Sequence, residues 1–150
     1  MPYIVEVDQS IKIEQSGPTV LAFSNGIAWA ILIPSDVKTA AIRAVANRGK
    51  PSRDAHLYVF AAGVYLLLRD YLSQMTLITV DIEYEGREGL IKSLLLEYIR
   101  KTLPGFESDT LMFDHVGKGS PADAKARAVR TGRDKRFRRV TLEEVLRIVT

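Results

Sequence analysis

Thr76-Leu-Ile-Thr-Val-Asp-Ile-Glu-Tyr-Glu-Gly86 is the stretch whose reading decides the fold. Leu77, Ile78, Val80 and Ile82 are apolar and mostly β-favouring, and Gly86 ends the run. The spacing predicts a buried central strand. Period-2 geometry puts Asp81, Glu83 and Glu85 on one side, with Val80 and Ile82 on the other. An amphipathic helix is predicted over residues 87–101, with Leu90, Ile91, Leu94, Leu95 and Tyr98 on its stripe. Carboxylates thus stand at the C-terminal end of a strand, where a crossover helix begins. Open α/β sheets place their ligand sites at that edge. Acids this close repel one another and are costly to keep ionised unless solvent, a base or a cation is near. A solvated strand end is the plain reading, and a divalent-metal site is the sharper one.

Upstream, residues 2–13 read as a strand with Asp8 just past its apolar part. Gln15-Ser16-Gly17-Pro18 is a turn signal. Residues 19–24 and 27–33 are two further strands, joined by Asn25-Gly26, a hairpin signal. Residues 37–47 are helical. A long helix is predicted over residues 53–72, apolar almost all round, so that more than one face must be buried. The second face is read as a homodimer contact. Downstream, residues 110–116 form a short fifth strand, followed by Gly117-Lys118-Gly119-Ser120-Pro121 and a helix over residues 122–129 with Asp123 in its first turn. Thr141 and Glu144 make a capping box for a last helix.

A chain of 150 residues, 47% hydrophobic, is expected to fold as a single domain with a real core. It has no cysteine, which excludes disulfides and thiolate chemistry and fits a reducing cytoplasm. The N-terminus has no signal-peptide pattern. The longest apolar run, residues 57–68, is shorter than the roughly 20 residues of a membrane span. Net charge is +3, but it is unevenly placed. Residues 125–139 form a basic loop holding eight cations and one acid, Asp134. The cations are Lys125, Arg127, Arg130, Arg133, Lys135, Arg136, Arg138 and Arg139. They point to nucleic-acid backbone binding, and Phe137 is the only aromatic among them, so base stacking is not the evident mode.

The predicted order of elements gives an α/β fold. Its mixed five-stranded sheet combines a three-strand antiparallel meander with βαβ units, and helices cover both faces. This order, with Asp8 on the first strand, Asp81 or Glu83 at the end of the fourth and Asp123 opening a late helix, resembles the ribonuclease H-like superfamily. That superfamily includes ribonucleases H, RuvC-type Holliday junction resolvases and transposases. The resemblance covers residues 3–129 and rests on topology and acid placement. It implies that Asp8, either Asp81 or Glu83, and Asp123 hold two Mg²⁺ ions. Ribonucleases H usually carry a glutamate on the first helix, and residues 37–47 hold no acid. The resemblance therefore points to the RuvC-type, resolvase-like branch and does not carry a substrate with it.

The chemistry agrees. Phosphodiester cleavage needs cations near the attacking water and the leaving oxygen, and carboxylates suit Mg²⁺ or Mn²⁺. Lys118 is a candidate to contact a phosphate or orient water. Plainer readings stand beside these. Asp123 suits the helix macrodipole, Gly117-Lys118-Gly119 suits an ordinary turn, His115 a hydrogen-bonding edge residue and His56 a structural one. The expected activity is a metal-dependent nuclease acting on DNA or RNA, including structured or branched forms. The alternative is a non-catalytic nucleic-acid-binding domain on the same fold. A small-molecule phosphohydrolase or a structural dimer module is the third reading.

Overall fold

The computed structural model describes residues 3–149. It begins with an antiparallel meander of Tyr3–Ser10 (β1), Thr19–Ser24 (β2) and Ala28–Ile33 (β3). β1 ends where Ile11 enters the left-handed region, φ 66°, a strained place for a β-branched residue. The hairpin at Asn25-Gly26 is present. Its connection has three residues, because Ser24 pairs with Ala28. Ser35–Asn47 (α1) and Ala55–Leu68 (α2) follow, then Met75–Asp81 (β4), Glu88–Arg100 (α3) and Leu111–Asp114 (β5). The chain closes with Pro121–Arg130 (α4), Arg138–Arg139 (β6) and Leu142–Val149 (α5).

The sheet order is β5-β4-β1-β2-β3-β6. β1, β4 and β5 run parallel, while β2 is antiparallel to β1 and to β3. The mixed α/β class is as expected, but the sheet has six strands rather than five. The sixth comes from the basic segment. Residues 138–139 pair in parallel with Ile31 and Leu32, and Val140 N donates to Leu32 O at 2.9 Å. An edge ladder made by the backbone alone leaves no apolar alternation to read in the sequence.

Helices lie on both faces. Val5, Val7, Leu21, Phe23, Ile31 and Ile33 point into one core with α1, α2, α3 and α5. On the other face Ala126 and Val129 of α4 pack on Val20, Ala22, Ala30 and Leu32, with Phe137 alongside. α2 starts later and ends sooner than the helix expected over residues 53–72, because Ser52–Asp54 and Leu72–Gln74 are 3₁₀ turns. Of its fourteen residues only His56 and Tyr58 escape full burial. The sheet, α1, α3 and α5 surround it. Gly63 permits the closest approach, since a Cβ there would stand 2.7 Å from Leu21 Cδ1. The apolar residues of α2 are thus packed within the chain, Tyr58 only in part. No helix among the described residues is long and apolar enough to cross a membrane.

Candidate functional site

The parallel β1–β4 ladder brings the acids together. Val7 pairs with Val80, so Asp8 and Asp81, one step further, stand side by side at the C-terminal strand ends. β4 stops at Asp81, and the chain turns out so that Glu83 joins them. One carboxylate oxygen from each of Asp8, Asp81 and Glu83 lies within 4.8 Å of the other two. They line a cleft of about 330 Å³ together with Gln9, His115, Lys118 and Asp123.

Backbone and side-chain donors hold the trio. Val116 N donates to Asp81 Oδ1 at 2.7 Å, and Gln9 N donates to Asp8 Oδ1 at 2.8 Å. Gln9 Nε2 donates to Glu83 Oε2 at 3.2 Å. Behind Gln9 the Tyr84 hydroxyl takes a hydrogen bond from Ile13 N at 3.2 Å and donates to Glu14 Oε1 at 3.1 Å. Sequence reasoning missed both Gln9 and Tyr84. Their only signal is adjacency, each following an acid of the trio. Gln9 is 8% exposed, and its buried Oε1 has no hydrogen-bond partner.

The electrostatics are strained. Burial, then the hydrogen bond with Asp81, pushes the Glu83 carboxyl up to about 9, while the bond from Gln9 pulls the other way. Burial pushes Asp8 up to about 6, and the charges of Asp81 and Asp123 add to it; bonds with Glu83 and the Gln9 N–H oppose the rise. Protons thus do part of the work that a cation would do here. Oxygen donors sit about 2.0–2.1 Å from Mg²⁺, so donors facing each other across an ion are about 4 Å apart. The trio closes on such an ion with a contraction under about 1 Å. Three hard carboxylates and the orphaned amide oxygen of Gln9 suit Mg²⁺ or Mn²⁺.

The remaining expected site residues divide. Asp123 lines the cleft but stands outside the trio. Its Oδ2 takes hydrogen bonds from Gly119 N, at 2.8 Å, and from Arg127, and Ser120 caps α4 by accepting from Asp123 N. It serves the helix start as the plain reading held, and it also faces the cleft. Lys118 lines the cleft. Glu85 points outward, exposed, with an oxygen 3.7 Å from His115 Nε2.

Against protein-family models, curated proteins and solved structures, the chain has no match.

The basic segment is not a loop throughout. Lys125, Arg127 and Arg130 belong to α4, and residues 138–139 to β6. The turn between is compact. Arg133 N and Asp134 N both donate to Ala128 O, and Lys125 Nζ donates to Asp134 Oδ2 at 2.6 Å and to Arg136 O at 3.1 Å. Five of the eight cations are already engaged: Lys125 and Arg136 by Asp134, Arg127 by Asp123, Arg130 by Ser10 Oγ and Arg138 by Glu144. Arg133, Lys135, Arg136 and Arg139 are exposed. Of these, Arg133, Lys135 and Arg139 have no side-chain partner among the described residues.

Proposed function

We propose that this chain is a divalent-metal-dependent nuclease that hydrolyses phosphodiester bonds of DNA or RNA, on a ribonuclease H-like fold of the resolvase-like branch. One observation carries the reading: Asp8, Asp81 and Glu83 converge at the ends of two parallel strands, beside a cationic helix. Asp8, Asp81 and Glu83 would hold the ion, with Gln9 Oε1 as a neutral donor and Asp123 at the cleft rim. A divalent cation there supplies Lewis-acid polarisation of the phosphate and a more acidic water. Gln9 Nε2 and Val116 N fix the carboxylates in place. Lys118 meets a phosphate oxygen, and Arg133, Lys135 and Arg139 hold the backbone without reading its sequence. A chain without cysteine is suited to the cytoplasm, the compartment we propose.

The test is cleavage of duplex, RNA–DNA hybrid, single-stranded and branched substrates with Mg²⁺ or Mn²⁺. Cleavage of at least one is expected. No cleavage of any with either ion rejects the nuclease. One observation favours the second reading, nucleic-acid binding without catalysis: Arg127 already occupies Asp123. Binding that falls steeply with salt, with no cleavage in the same panel, is the result that selects it.

A further inference from the structure

A second cleft, of about 410 Å³, is lined by Arg53, Asp54, His56, Leu57 and Arg87. Tyr84 stands between it and the acidic cleft. The Tyr84 ring lies against His56, with centroids 5.2 Å apart, while its hydroxyl takes a 3.5 Å bond from Gln9, which also reaches Glu83.

The two clefts differ in charge. Here two guanidinium groups face a single carboxylate. Asp54 is 9% exposed and accepts one hydrogen bond, 2.7 Å, from Arg87 Nη2. That bond anchors one end of the Arg87 fork. The other Arg87 donors have no protein acceptor among the described residues. Arg53 is exposed and pairs with no carboxylate among the described residues. His56 adds a ring nitrogen that can donate. An anchored planar fork, a second guanidinium and an imidazole around one cleft suit a tetrahedral oxyanion better than a cation or an apolar group.

The position matters as much as the charge. Arg87 N donates to Tyr84 O at 3.0 Å, closing a turn. The ends of such a turn are less than about 7 Å apart at Cα, which puts the Arg87 Cα within about 11 Å of the Glu83 Cα. A strand whose bases rise about 3.4 Å each covers that span in a few nucleotides.

We propose that this cleft is a phosphate subsite. Resting on the nuclease reading above, it grips a phosphodiester of the bound strand a few nucleotides from the bond held at Asp8, Asp81 and Glu83. Arg53 and Arg87 contact that phosphate and position the strand; neither touches the reacting atoms. The acidic cleft then lies between two cationic surfaces, this one and the exposed arginines and lysine after α4, and repulsion of the backbone by the carboxylates is offset from both sides.

The test begins with inorganic phosphate and the full chain, followed by NMR of the His56 ring. Phosphate is expected to shift the His56 resonances, and Arg53→Ala, a change at an exposed position, to weaken that binding about tenfold. Arg53→Lys should recover part of it. The second arm uses oligonucleotides with a single neutral methylphosphonate moved along the strand, with Ca²⁺ present. One linkage, away from the cleaved bond, should cost the native chain about tenfold in affinity and cost Arg53→Ala nothing. No phosphate response at His56 overturns the subsite, and so does a response with no sensitive linkage, which would mark a site for free phosphate only. Position-specific loss in a chain that cleaves nothing supports the subsite and rejects the nuclease reading. Cleavage without any sensitive linkage does the reverse.

Discussion

Glu83 and Asp134 are both carboxyl groups in hydrogen-bonded surroundings, and they are displaced in opposite directions. At Asp134 the Lys125 ammonium, followed by the Arg136 backbone N–H, holds the carboxyl down to about 2. At Glu83 burial and the neighbouring Asp81 push it up to about 9. The difference is the chain's own supply of cations. Asp134 has Lys125 at 2.6 Å and is a finished structural joint. The trio has neighbours of its own sign and an unpaired amide oxygen, and none of the three forms an ion pair among the described residues. Matched charge at a turn holds the fold together, while unmatched charge at the end of a central strand is what the proposed metal site rests on.

The largest effect that can break this comparison comes from Asp8→Asn. It removes one repelling charge and one ion ligand. Cleavage is expected to fall by a factor of about a thousand or more, in single-turnover kinetics, with nucleic-acid affinity unchanged or higher. Full cleavage by Asp8→Asn would falsify the site assignment even if the activity is real. Lys125→Met attacks the matched side. It strands Asp134 and the Arg136 carbonyl, and it should cost about 2 kcal/mol in denaturant unfolding. The native Asp134 is depressed, so its contribution is present above its ordinary 3.8 and is lost as pH falls towards about 2. Lys125→Met should abolish that part of the acid unfolding limb; an unchanged limb would mean the pair contributes nothing.

Replacing Arg133, Lys135 and Arg139 together by Ala tests which cations are free. Affinity should drop about tenfold near physiological salt, equally for unrelated sequences, and the log–log salt slope should lose about 0.9 per phosphate contact removed. Arg138→Ala, whose native partner is Glu144, should leave the slope unchanged. If the two sets behave alike, the division into engaged and presented cations is wrong. The smallest effect is on melting temperature. Asp8 and Glu83 have raised values, so the folded chain holds more protons than the unfolded one over that range, and stability falls as pH rises. Asp8 acts between 3.8 and about 6, and Glu83 between 4.5 and about 9. The metal-free melting temperature should drop by a few degrees between about pH 5 and 9, and excess Mg²⁺ should remove the drop. A flat profile that ignores Mg²⁺ argues against a cation site.

Much of the fold was legible. Alternation in residues 76–82 marked a central strand, Asn25-Gly26 marked the hairpin, and Ser120-Pro121 marked a helix start that the structure retains. Asp8, Asp81 and Glu83 were legible as candidates because acids at strand ends face the ligand edge of an α/β sheet. β6 was not legible, since a two-residue backbone ladder has no side-chain pattern. The ends of α2 were not legible either, because the flanking Ser52–Asp54 and Leu72–Gln74 are 3₁₀ turns. Continuous apolarity reports that several faces are buried, and it does not say whether the same chain or another one buries them.

The sequence by itself determined the kinds and order of the elements up to α4, the acids available and the localisation of charge after residue 124. Those follow from periodicity and composition, which are local properties of a chain. Tertiary structure alone decided which acids meet, which cations are already used, and that Gln9 and Tyr84 belong to the site. Gln9 bonds Glu83 across 74 residues. Desolvation, Coulomb repulsion and hydrogen bonding depend on separations in space, and only parallel pairing of β1 with β4 makes those separations short.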